Sequence, residues 1–227
     1  MYRACVVGVV LTLGAGVADA AVTIENGSFE LGPNGRGEVN GNLFGAMPGQ
    51  GGGDSWDVWG SLPGWTTTDG AGIEVQTRGT VGGVTPFEGD YYVELDSDPT
   101  DRDGQTNSTM VQSLELGSGL YRLSYAYQPR TNSQGDNILS VSVDGVELAN
   151  LDRRSGDGQG WVMYYADFSV DEAGPTAISF AAPGTDNTRG AFVDGVELSQ
   201  VPVPAALPLM GSGLAGLAYL ARRRRRT

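Results

Sequence analysis

The stretch Asp90-Tyr-Tyr-Val-Glu-Leu-Asp96 alternates its residues at a period of two. Tyr91, Val93 and Leu95 fall on one side, and Tyr92, Glu94 and Asp96 on the other. Half-buried antiparallel strands need this alternation. It recurs downstream. Residues 110–116 continue it, and Tyr121, Leu123, Tyr125 and Tyr127 share a side within 120–128. Leu139, Val141 and Val143 do so within 137–144, and Asp144-Gly145 supplies a two-residue hairpin turn before Val146-Glu-Leu148. Strands are also expected over 21–31, 73–76, 161–170, 177–182 and 191–198, making about ten by pattern. Residues 32–72 read as a long Gly-rich loop holding Trp56, Trp59 and Trp65. With 36 glycines, and helical periodicity confined to the termini, the chain is expected to be all-β, a two-sheet jelly-roll sandwich over 21–200.

Composition excludes more than it proves. The chain has neither His nor Lys, and its one Cys, Cys5, lies in the N-terminal leader. Beyond the leader there is no Ser-His-Asp triad, Cys nucleophile, Lys Schiff base, His/Cys zinc site or disulfide. Arg3 and Arg222–Arg226 account for six of the 14 basic residues, whereas only Asp19 of the 27 acids lies in a terminal segment. The body is therefore strongly acidic, which argues against nucleic acid and against docking on an anionic membrane. An acidic body suits solubility in an extracellular setting, or the collection of divalent cations.

Residues 1–20 have the parts of a secretory signal peptide: Arg3, an apolar run from Ala4 to Val17, and the A-x-A site Ala18-Asp-Ala20. At the other end, Val201-Pro-Val-Pro-Ala-Ala206 opens a tail over 201–227, followed by an uncharged span over 205–221 and then Arg222–Arg226. The span is at the short edge of a transmembrane helix, and the arginines would stay cytoplasmic. This three-part tail resembles the PEP-CTERM class of bacterial sorting signals. Val201, Pro202, Val203, Pro204 and Ala205 stand where the VPLPA-CTERM variety has its motif, with Val203 in place of Leu. The resemblance implies a Gram-negative bacterial protein, anchored in the inner membrane before processing by an exosortase-type transpeptidase. It then implies a place on the cell surface or in the extracellular matrix, linked to extracellular polysaccharide.

The body is similar to galactose-binding-like jelly rolls. The likeness rests on Asn26-Gly-Ser-Phe-Glu30, on Tyr92-Val-Glu-Leu-Asp96, on Gly119-Leu-Tyr-Arg-Leu-Ser-Tyr125 through Arg130, and on Val193-Asp-Gly-Val196. It implies a structural Ca²⁺ tying the first strand to the last, with Asn26, Glu30 and Asp194 at the matching positions. Gly195 stands where many relatives have a second acidic or amide ligand. A capped strand end without metal explains the same residues. The loop Asp96 to Gly104 carries acids at 96, 98, 101 and 103, but lacks the spacing and bidentate Glu of a calcium loop.

Sugars stack their C–H faces on aromatic rings while neighbouring polar groups read their hydroxyls. Trp56, Trp59, Trp161, Tyr127 and Arg130 are the residues expected to do this, although packing would use each Trp equally well. Glycoside hydrolysis needs two acids flanking a cleft, and a chain this acidic offers pairs without specifying one. The reading is a non-enzymatic, exported polysaccharide-binding protein. The alternatives are a structural or adhesive matrix protein without a sugar site and, less favoured, a glycoside hydrolase.

Overall fold

A computed structural model describes residues 23–32, 56–98, 104–157 and 160–202. The expected signal peptide, most of the sorting tail from Val203 onward, and Asp101 and Asp103 of the acidic loop lie outside these residues. Twelve strands run in chain order: β1 Trp56–Trp59, β2 Ser61–Leu62, β3 Trp65–Asp69, β4 Ile73–Thr77, β5 Tyr91–Glu94 and β6 Thr109–Leu116. They continue with β7 Gly119–Gln128, β8 Leu139–Val143, β9 Val146–Leu151, β10 Val162–Val170, β11 Gly174–Ala181 and β12 Phe192–Gln200. They form two six-stranded antiparallel sheets, ordered β1-β4-β5-β12-β7-β10 and β2-β3-β6-β11-β8-β9.

The expected alternation sets the core. Tyr91, Val93 and Leu95 are buried with Leu123, Tyr125 and Tyr127 of the first sheet and with Val141, Ile178 and Phe180 of the second. Phe180 meets Tyr125 across the two sheets at 5.3 Å and Trp65 at 5.8 Å, both edge-on, the geometry aromatic pairs prefer. Segment 23–32 closes this core. Phe29 packs on Trp65 at 5.9 Å, and Trp65 Nε1 donates to the Asn26 carbonyl.

Two sequence expectations need correction. The described part of 21–31 is turn rather than strand, because Asn26 binds both the N–H and the carbonyl of Leu31 and so closes its own loop. The Trp-bearing part of 32–72 is β1, β2 and β3 rather than loop. There β1 pairs with β4, and β3 with β6. The glycines misled because they serve turns: Gly64 and Gly70 both sit at positive φ.

The first sheet is covered on both faces. Tyr92, Glu94, Phe192 and Asp194 face away from the core yet are all 0% exposed. Segment 78–90 lies over Tyr92 and Asp194, and Arg130 caps Glu94. The segment is held by Trp161, whose Nε1 donates to the Thr85 carbonyl at 2.7 Å. Trp161 also meets Phe87, Tyr92 and Phe192.

Candidate functional site

On the outer face of the first sheet, register places Glu74 opposite Glu94, and Trp56 and Tyr92 on either side of Gln76. The strand period turns all five toward the same side. Trp56, Glu74, Gln76, Thr80, Val81, Asp98, Arg130 and Thr188 line an open pocket of about 190 Å³ there.

The buried wall of this pocket is a polar network. The Gln76 amide donates to Glu74 Oε1 at 2.6 Å and to Glu94 Oε2 at 2.7 Å. Two carboxylates determine which end of the amide faces them, and they turn the Gln76 carbonyl away. That carbonyl oxygen is buried and has no hydrogen-bond partner. Glu74 Oε2 accepts from the Asp98 N–H at 2.8 Å. Arg130 donates to both Glu94 oxygens, at 2.7 and 2.6 Å, and to the Thr188 carbonyl at 2.7 Å. Arg130 is itself positioned by Asn137, whose side-chain oxygen accepts from the N–H groups of Arg130 and Thr131.

Burial governs the electrostatics. It pushes the Glu74 carboxyl up to about 7, against the hydrogen bonds from Asp98 and Gln76 and the charge of Arg130. Burial and then the Glu74 charge raise Glu94 well above the ordinary range, with Arg130 opposing. The pair therefore holds a proton at pH values where isolated carboxylates have lost theirs. For Arg130, burial favours the neutral form, but the Glu94 charge outweighs it and keeps the guanidinium ionised.

Of the residues expected to bind sugar, the fold brings Trp56 and Arg130 together at the pocket. Trp59 packs against the core. Trp161 braces the covering segment, as described above. Tyr127 is 0% exposed, donates to the Asn137 carbonyl at 2.7 Å, and has its phenol pushed up to about 12 by burial. Its place on the inward side of β7 makes it a core residue. Glu74, Gln76 and Thr188 belong to the pocket and were not singled out by sequence. The polar side of Ile73-Glu-Val-Gln76, set against Glu94, was the available signal.

The residues expected to hold calcium separate into two kinds. Glu30 Oε1 accepts from the N–H groups of Asp90 and Tyr91, and Asp194 Oδ2 from those of Phe87 and Glu88. The two carboxylates thus grip the two ends of one five-residue segment. Burial pushes Asp194 up to about 8, opposed by its backbone hydrogen bonds. Hard oxygen donors suit Ca²⁺, and Glu30 and Asp194 supply them, each with one carboxylate oxygen accepting from backbone N–H groups of segment 87–91. Asn26 uses its side chain on the 26–31 turn instead. Among the described residues, no group of three or more acidic side chains is placed to hold a metal ion by itself.

The family model described as "Domain of unknown function (DUF5013)" matches residues 47–187, more than half of the chain. The chain belongs to the DUF5013 family. The match runs from just before β1 to just before β12, so the DUF5013 region carries every residue lining the pocket except Thr188. No curated protein matches the chain. Three similar solved structures are carbohydrate-binding modules. A family 35 module from Clostridium thermocellum is 15% identical, with 64% of this chain and 92% of that one covered and a TM-score of 0.36. The TmCBM61 module, solved with β-1,4-galactotriose, is 18% identical, with 60% and 88% covered and a TM-score of 0.43. The CBM22-1 xylan-binding domain of Xyn10C from Paenibacillus barcinonensis is 12% identical, with 66% and 94% covered and a TM-score of 0.40. At such identities and TM-scores, these likenesses assign no ligand to the DUF5013 chain.

Proposed function

We propose that this chain is an exported, exosortase-processed protein of the cell surface or extracellular matrix, and that its β-sandwich binds polysaccharide without cleaving it. The observation that carries the binding reading is the pocket. A partly exposed Trp56 stands beside fixed polar side chains, and one buried acceptor there lacks a donor. Ligand sites combine an apolar contact with a few preset polar groups in this way. Glu74, Glu94 and Asp98 stand on one wall, since the first two are neighbours across β4 and β5 and the third donates its N–H to Glu74. Hydrolysis needs carboxylates on opposite sides of the scissile bond, so this arrangement suits holding a sugar rather than cutting it.

Export and sorting rest on the sequence of the two termini. The signal-peptide pattern of residues 1–20 and the Pro motif, apolar span and Arg cluster of 201–227 support them. Glu30 and Asp194 would hold a structural Ca²⁺ between segment 87–91 and β12, with the ion serving only to neutralise and crosslink. A glycan panel including the host's own exopolysaccharide tests the binding reading. Binding that disappears in Trp56→Ala supports it. Silence across the panel favours a structural matrix role, and release of reducing ends would show turnover.

A further inference from the structure

The pocket wall presents buried acceptors. Gln76 is 1% exposed and its carbonyl oxygen has no partner. Glu74, 5% exposed, has both oxygens engaged by single donors, and each oxygen retains a lone pair. Asp98 adds a second carboxylate to the lining. Arg130 Nη1 is turned onto Glu94 and the Thr188 carbonyl. A buried, desolvated acceptor is a standing cost that a donor from a ligand removes. A neutral hydroxyl would satisfy the Gln76 carbonyl but leave the carboxylate charge. A uronic acid would add a like charge, in a chain whose net charge is already −13. A protonated amine brings three donors, no acceptor and a positive charge.

We propose that the pocket selects an amino sugar: the unacetylated ammonium of a hexosamine unit lies against Glu74, Asp98 and the Gln76 carbonyl, and the sugar ring lies against Trp56. The inference rests on the polysaccharide reading and specifies its ligand. The pocket is open and its volume is about 190 Å³, which gives a sugar ring room to enter. An ammonium beside Glu74 also restores the ionised carboxylate that burial disfavours. Trp56 offers the flat aromatic face that suits a pyranose ring.

The test is calorimetric titration of the purified chain at physiological salt. The ligands are the β-1,4-linked glucosamine tetrasaccharide, its fully N-acetylated counterpart, tetragalacturonate and tetralysine. The expected order places the glucosamine oligomer at least about ten-fold tighter than the N-acetylated one, as a hydrogen bond to a charged group provides. Tetragalacturonate should give no heat. Glu74→Gln should narrow that ratio toward one, with folding checked by an unchanged circular dichroism spectrum. If both neutral and amino oligomers bind equally and both are lost in Trp56→Ala, the amino preference is overturned and polysaccharide binding stands. Tetralysine binding as tightly as the glucosamine oligomer overturns the sugar assignment in favour of a general cation site. Silence with every oligosaccharide overturns the inference, and a silent broad glycan panel removes the polysaccharide reading as well.

Discussion

Glu74 and Glu94 stand directly opposite each other on β4 and β5, with one amide, that of Gln76, donating to both. Like charges in direct cross-strand positions are destabilising, and burial makes the charged forms costlier. Burial raises the Glu74 carboxyl to about 7 in the fold, from an ordinary 4.5. Its contribution to stability is thus fully present below pH 4.5 and is lost as pH rises through 7. Each pKa unit corresponds to about 1.4 kcal/mol, so stability should fall by about 3 kcal/mol through this group between pH 4.5 and 8. Urea unfolding of wild type and Glu74→Gln at pH 5 and pH 8 isolates the effect. The variant should lose less stability on going to pH 8, and equal losses would contradict the assignment.

Trp56 and Trp65 should behave oppositely on truncation. Trp65 is 1% exposed and packs between Phe29 and Phe180. Trp65→Ala should cost about 3–5 kcal/mol of stability. Trp56 lies at the pocket on β1, an edge strand, and is only partly buried. Trp56→Ala should lose glycan binding while shifting the thermal midpoint far less than Trp65→Ala does. A larger shift for Trp56→Ala would make it a packing residue.

Calcium should raise the thermal midpoint of the purified chain, and EGTA should lower it. Saturation at 100 times the dissociation constant corresponds to about 2.7 kcal/mol. Asp194→Asn should abolish the response, since Asp194 is 0% exposed and faces the segment that Glu30 grips from its other end. Identical melting curves in excess Ca²⁺ and excess EGTA would remove the ion from the account.

Gly27 tests how segment 23–32 is docked. Its carbonyl accepts from the Val196 N–H at 2.9 Å, and an added Cβ would come within 2.0 Å of the Val196 carbonyl oxygen. Gly27→Ala should therefore destabilise by about 1–3 kcal/mol, as overpacking does. Differential scanning fluorimetry would show it, and a neutral result would mean that the segment moves aside without loss.

The strands from Tyr91 to Gln200 were legible because their inward sides alternate, and alternation is what a two-sheet core requires. The cover on the outer side was not. Tyr92 and Glu94 fall on the side opposite the core residues, and their burial comes from segment 78–90 over Tyr92 and from Arg130 over Glu94, neither of which has a periodicity that announces it. The pocket was half legible for the same reason. Trp56 and Arg130 stand out by chemistry, whereas Glu74 and Gln76 become meaningful only when strand register sets them beside Glu94. The pentapeptide Asp-Gly-Val-Glu-Leu makes the point locally. At 144–148 its Asp-Gly forms the hairpin turn, with φ of 48° and 78°. At 194–198 the same letters form a bulge within β12, so partner strands decide what the sequence does.

The direction of β12 has a consequence for presentation. It begins at Phe192, beside Glu94 and Gln128 at the pocket end of the sheet, and ends at Gln200, beside Tyr121. Val201 then donates its N–H to the Leu120 carbonyl. At about 3.3 Å per residue, the chain leaves the sandwich about 25 Å from the end where it entered β12. A tether beyond residue 202 would therefore pull on the base of the sandwich and leave the pocket at its free tip.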